Sequence, residues 1–290
     1  MRGDEAPEPQ NRGAGSSGLS RLLLDGAASL FPGYFALVMA TGVVSIACHF
    51  MGLRPVALAL IGVNWIAWPV LWGLTILRAV RFRALLLRDI SDHQRAPGFF
   101  TIVAGTCVLG TQNVVVIGAL GLGTALWWLG LILWFAIMYT FFTAVTVRAR
   151  KPTLARGING AWLIAAVSTQ SVVVLRGVID VGAAPPEAIQ FQVIAMFLIG
   201  CMLYLAIIPL IFYRLTFVPM NREDFSPPYW INMGAVAITA LAGSVLILRG
   251  ETWPLLEPLL PFIRGFTFSF WAVASWWIPF LFALMTWRYL

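Results

Sequence analysis

The chain has 290 residues, of which 60% are hydrophobic and 11% charged, and it carries a formal charge of +7. Soluble domains are about 45–50% apolar and about 25% charged, so a water-soluble fold of this length, which would have to hide all that apolar surface, is excluded. The positive balance does not indicate nucleic acid either, because the basic residues are dispersed between long apolar runs instead of clustering.

Residues 1–18, rich in Pro, Gly, Ser and charge, read as a disordered tail, and 1–30 as a disordered or amphipathic segment ahead of a transmembrane domain over 31–290. The tail has no apolar core of its own, so it is not read as a cleaved signal peptide. Beyond it, runs nearly free of charge recur. About 20 apolar residues suffice to cross a bilayer, which predicts spans near 33–52, 56–78, 99–120, 124–147, 160–179, 189–213, 229–248 and 262–287. The third and fourth lie in one continuous run, divided at Gly121-Leu122-Gly123. The runs do not alternate apolar with polar as barrel strands do. Backbone groups in lipid must be satisfied internally, so the expectation is an all-α integral membrane protein of about eight transmembrane helices.

Fifteen of the nineteen Lys and Arg residues lie before the first span, after even-numbered spans or at the end of the chain; Arg54, Arg176, Arg249 and Arg264 fall on the other side. The positive-inside rule then predicts a multi-pass protein of the plasma (inner) membrane with both termini in the cytoplasm. Cys48, Cys107 and Cys201 each sit inside a span, far apart in sequence. They form neither a disulfide framework nor a metal signature. His49 and His93 are likewise separate, and no metal or cofactor is expected.

The odd-numbered spans share a beginning. Pro32-Gly33-Tyr34-Phe35, Pro97-Gly98-Phe99-Phe100 and Pro227-Pro228-Tyr229-Trp230 place their first prolines 65 and 130 residues apart, and Gly160-Ala161-Trp162 opens the fifth span near the remaining position. The repeated unit is a helical hairpin of about 65 residues. Proline suits a first helical turn, where its missing N–H has no partner to lose. Nine residues into each copy stand Thr41, Thr106, Ser171 and Val236, at a depth of about 13 Å, near the middle of the bilayer core. A ring of hydroxyls there suits close helix packing and, equally, a narrow polar path. A fifth copy would begin near residue 292.

The phrases FPGYFALVMATGVVSIA (31–47), RAPGFFTIVAGTCVLG (95–110), WLIAAVSTQSVVVL (162–175), SPPYWINMGA (226–235) and PFIRGFTFSFWAVASWWIPFLFAL (261–284) resemble the tellurite-resistance/dicarboxylate transporter family. That family also contains yeast malate and sulfite transporters and the plant slow-type anion channels. The resemblance implies ten helices as five hairpins around a pseudo-fivefold axis, odd helices lining one pore per subunit, and homotrimers in the lipid bilayer. It also implies a ninth helix with a phenylalanine that plugs the pore. No phrase matches that helix well; Phe268 is the nearest candidate for the gate. The expectation is therefore four of the five hairpins, with the domain incomplete at its C-terminus.

An anion path must attract negative charge without holding it tightly. The odd spans carry no Asp or Glu, and the candidate pore-lining residues are Thr41, Ser45, Thr106, Gln170, Ser171, Asn232 and Thr239. Arg95 and Arg156 are expected to gather anions at the cytoplasmic mouths, and Arg176 either to do so outside or to snorkel to the interface. The function expected is transport of small anions or C4-dicarboxylates, as channel or secondary transporter. Two alternatives stand beside it: a truncated membrane remnant that does not transport, and an intramembrane enzyme using Asp89 and Asp92.

Overall fold

The structure, a computed structural model, describes residues 18–290; the tail expected at the N-terminus lies, up to residue 17, outside the described residues. Among the described residues there is no strand, and eight helical segments are long and apolar enough to cross a membrane. They run Pro32–Phe50, Arg54–Arg81, Ala96–Ile117, Leu120–Val147, Gly160–Ile179, Glu187–Phe217, Pro227–Arg249 and Glu257–Tyr289.

The helices are α1 (Gly18–Ser29), α2 (Ala36–Phe50), α3 (Arg54–Arg81), α4 (Arg83–Ile90), α5 (Phe100–Ile117), α6 (Leu120–Val147), α7 (Leu154–Gly157), α8 (Ile164–Ile179), α9 (Glu187–Phe217), α10 (Ile231–Arg249) and α11 (Leu260–Tyr289). Part of the segment 1–30 is thus a helix, and α1 packs against α3. The four hairpins are α2/α3, α5/α6, α8/α9 and α10/α11. Their first members, the inner helices, stand side by side in chain order: α2 against α5, α5 against α8, α8 against α10. Each of the outer helices α3, α6 and α9 leans on its own inner helix and on the next one. No extended packing joins α2 to α10, so the inner helices form an open row.

The repeat is visible at both ends of the hairpins. Every inner helix is entered through a one-turn 3₁₀ segment, at Pro32–Phe35, Ala96–Phe99, Gly160–Leu163 and Pro227–Trp230. The first three begin 64 residues apart and the fourth 67 further on, close to the spacing expected. These turns pack backbone on backbone. A Cβ on Gly98 would lie 2.8 Å from the Gly33 nitrogen, and one on Gly160 2.0 Å from the Pro228 carbonyl oxygen. At the far ends, the first three hairpins turn at Gly52, Gly118 and Gly182, all with positive φ.

Gly118 corrects the boundary expected at Gly121–Gly123. It adopts φ 73°, and Ala119 N–H reaches back to the Asn113 carbonyl (3.1 Å), closing α5 with a left-handed cap. Gly121 and Gly123 lie inside α6. A Cβ on Gly123 would meet Val114 at 2.3 Å, so that glycine serves close approach of α6 to α5.

The basic ends of the hairpins are clasped in a repeating way. Arg78 donates to the carbonyls of Ala27 (3.0 Å) and Ala28 (2.7 Å), Arg148 to Ser91, Arg214 to Ile158, and Arg288 to Phe225 (2.6 Å). In each case an arginine ending an outer helix holds the backbone just ahead of its partner inner helix. A cation at a helix C-terminus also opposes the helix dipole favourably. The positive-inside reading of these residues misses this second task.

Candidate functional site

The inner helices are the natural place to look for a solute path, since α5 and α8 are apolar yet almost wholly enclosed by protein. Their span windows are 89% and 83% buried, against 22% for α2 and 44% for α10. Glycine makes this possible: a Cβ on Gly110 of α5 would lie 2.6 Å from Leu175 of α8.

The seven candidate residues have different surroundings. Thr106 accepts a hydrogen bond from the Trp68 indole of α3 (3.1 Å), and Ser45 donates to the Ala57 carbonyl of α3 (2.8 Å). Gln170 donates to the Phe197 carbonyl of α9 (3.1 Å) and meets the Cys201 sulfur at 3.7 Å. These three reach outer helices. Ser171 donates to Val167 (2.7 Å) and Thr239 to Ala235 (2.8 Å), each within its own helix. Thr41 is half-buried. Asn232 is buried, and neither atom of its amide has a hydrogen-bond partner. Phe268, on the outer helix α11, is 66% exposed and stacks on Trp271 of the same helix.

Register explains part of this. The α8 entry begins at Gly160, 64 residues after Ala96 and so one residue short of the 65 counted from the prolines, and one residue is about 100° around a helix. The hydroxyl bonded as Thr106 is to Trp68 is Thr169, which accepts from the Trp134 indole of α6 (2.7 Å) and stands two residues before Ser171. Sequence reading missed both tryptophan donors. Ser171 belongs to another face. Between 164 and 175, only Ile164, Val167, Ser171 and Val174 retain any exposure, a single stripe at helical spacing. On α5, Val108 and Thr111 keep the most among the non-glycine residues from 100 to 113, and exposure rises beyond them towards Ile117.

A buried amide chain ties the first two hairpins. Asn64 of α3 donates to the Val38 carbonyl (3.0 Å) and to Gln112 Oε1 (2.9 Å), and Trp65 donates to Asn113 Oδ1 (3.1 Å). Interhelical bonds of this kind contribute about 0.6 kcal/mol each on average in a membrane.

Several of the charged groups nearest the inner helices are already paired. Asp89 is held by Arg78 (2.5 Å) and Arg95 (2.7 Å), and Arg95 also lies 5.2 Å from the Phe31 ring. Arg95 is therefore not a free anion attractor. Arg176 makes a two-pronged pair with Asp180 (2.6 and 2.8 Å) and lies over the Trp127 ring at 4.9 Å. Buried and neutralised, it neither snorkels nor offers an outer anion site. Asp92 accepts the backbone N–H groups of Gln94 and Arg95 (2.9 Å each). Among the described residues no three His, Cys, Asp or Glu come together as a metal site.

A cavity of about 440 Å³ lies between α9 and α11, lined by apolar side chains including Tyr204, Phe212, Phe270 and Trp276. It opens between outer helices, away from the stripe on α8, and has the character of a lipid-facing groove.

Comparison with known proteins gives the family. The chain is 37% identical over 87 residues to an uncharacterized membrane protein of Mycobacterium tuberculosis, covering 30% of this chain and 44% of that protein, so it spans less than half of that relative's length. Two uncharacterized transporters of Methanocaldococcus jannaschii match more broadly: 24% identity over 263 residues (88% of this chain, 74% of the relative) and 23% over 252 residues (84% and 72%). No solved structure matches significantly. The family model described as voltage-dependent anion channel (SLAC1) matches residues 29–290, the whole row of hairpins, and this multi-pass membrane protein belongs to that family.

Proposed function

We propose that this protein passes small anions or C4-dicarboxylates across the inner membrane along the inner helices. The observation that carries the reading is the row α2, α5, α8 and α10: four adjacent helices without a single Asp or Glu, two of them nearly enclosed by protein. Acidic rings serve cation paths. A wall of small, hydroxylated and apolar groups attracts an anion weakly and lets it leave. Thr41, Ser45, Thr106, Gln170, Ser171, Asn232 and Thr239 are the proposed polar members, with Ser171 the one on the α8 stripe. Both termini are placed in the cytoplasm and the assembly is a homotrimer, the first from charge asymmetry and the second from the family resemblance.

Exposed apolar stripes on α2 (Leu37, Ala40, Val44, Ala47) and α10 (Ala237, Leu241, Ser244, Leu248) leave the row uncovered at both ends. That observation favours a second reading, a membrane protein that does not transport. Flux decides between them. Proteoliposomes should admit chloride, nitrate, malate or sulfite faster than empty vesicles, and Ser171→Trp should suppress the flux. No flux for any of the four supports the second reading.

A further inference from the structure

One polar cavity remains unused by the proposed path. It has a volume of about 340 Å³ and lies between the segment entering α5 and the one joining α6 to α8, at the end of the molecule where inner helices begin. Arg148, Arg150, Lys151, Arg156, His93 and Asp92 line it. The four fixed cations have no carboxylate within ion-pairing distance among the described residues. The single acid, Asp92, is turned to the backbone amides of Gln94 and Arg95.

We propose that this cavity binds a phosphate-bearing polyanion, presented either as a free polyphosphate or as an anionic lipid headgroup. Guanidinium groups match phosphate oxygens in a two-pronged geometry, and Lys151 adds a compact point charge. The volume suits two linked phosphates better than one small ion, since a water-sized group occupies about 30 Å³. Solvated surface cations usually repel one another into separate directions. Here the fold converges them: Arg148 is anchored to the Ser91 carbonyl and lies 3.4 Å from His93 Nδ1, and the Gln94 amide holds the Arg156 carbonyl (2.9 Å). His93 is held below its ordinary pKa by burial first, then by Arg148 and Lys151, while Asp92 opposes. Two of the groups that lower it, Arg148 and Lys151, are cations of the cavity itself.

A bridge between the two segments that line the cavity gives occupancy a structural consequence. The Trp162 indole donates to both the His93 and Gly157 carbonyls (3.0 Å each), so it joins the two segments at the start of the α8 turn. A polyanion bridging Arg148 and Arg156 would lock the entries of α5 and α8 together.

The test uses the full chain in nanodiscs of phosphatidylcholine, titrated with inorganic pyrophosphate, with binding read by calorimetry and the His93 pKa by NMR. The chain has two histidines, so His93→Gln assigns the signal. Pyrophosphate should bind and raise the His93 pKa. Arg150→Gln combined with Lys151→Gln should weaken binding about tenfold or more, while Arg264→Gln on the opposite end leaves it unchanged. In discs containing cardiolipin, whose headgroup carries two phosphates joined through glycerol, a His93 pKa already raised and insensitive to pyrophosphate identifies the headgroup as the ligand; an unchanged response to pyrophosphate identifies the free polyanion. The proposal is overturned if neither probe binds or moves His93, or if the double variant binds as the parent does. Anion flux does not enter the readout, so failure here is distinct from failure of the transport reading.

Discussion

Thr106 and Thr169 show how a single hydroxyl is used in this fold. Each receives the indole N–H of a tryptophan on the preceding outer helix, so each fastens one hairpin to the next. Replacing either by Val leaves a donor without an acceptor in an apolar interior, a loss of about 1–3 kcal/mol. Thr→Ser retains the acceptor. Thermal midpoints in detergent should therefore fall for Thr106→Val and Thr169→Val and stay near the parent for the serine variants; equal losses in both pairs would show that packing, not the hydrogen bond, is at work. His93 gives a pH dependence. Its folded-state pKa lies below the ordinary 6.5, so its protonation adds no instability above that pH. Below 6.5 the unfolded chain takes up the proton first, and stability declines as the pH falls. In a melting series across that window, His93→Gln should remove this part of the slope.

At the scale of helices, the sequence was most legible where lipid imposes the pattern. All eight spans were readable from apolar length, and the repeat from Pro32, Pro97 and Pro227, because proline and interfacial aromatics mark a helix start whatever surrounds it. The turn between α5 and α6 was misplaced since Gly118, Gly121 and Gly123 look alike in sequence. Only backbone conformation separates the capping glycine from the packing one. Side-chain direction was the least legible. A 65-residue count pairs Thr106 with Ser171, whereas the hydroxyl bonded like Thr106 is Thr169, two residues and more than half a circle away. The arginine clasps were hidden for another reason, as the positive-inside rule already accounts for basic residues at those positions. Arg214→Gln weakens the hold on the Ile158 carbonyl, and a loss of about 1–3 kcal/mol is expected. Limited proteolysis should then cut the 148–159 connection, which contains Ile158, faster than in the parent, and an unchanged rate would speak against the clasp.

For the whole molecule, the four hairpins build a row in which α5 and α8 are shielded and α2 and α10 are half open. The account of transport rests on the proposal that the slightly exposed stripe of α8, Ile164, Val167, Ser171 and Val174, faces a water-filled path and not lipid or protein. A cysteine-free parent, made by replacing Cys48, Cys107 and Cys201, allows this to be asked position by position. In proteoliposomes a charged, membrane-impermeant thiol reagent should modify Ser171→Cys and leave Thr169→Cys, buried against Trp134, untouched. Equal protection of both positions under every ionic condition would contradict the path along the inner helices.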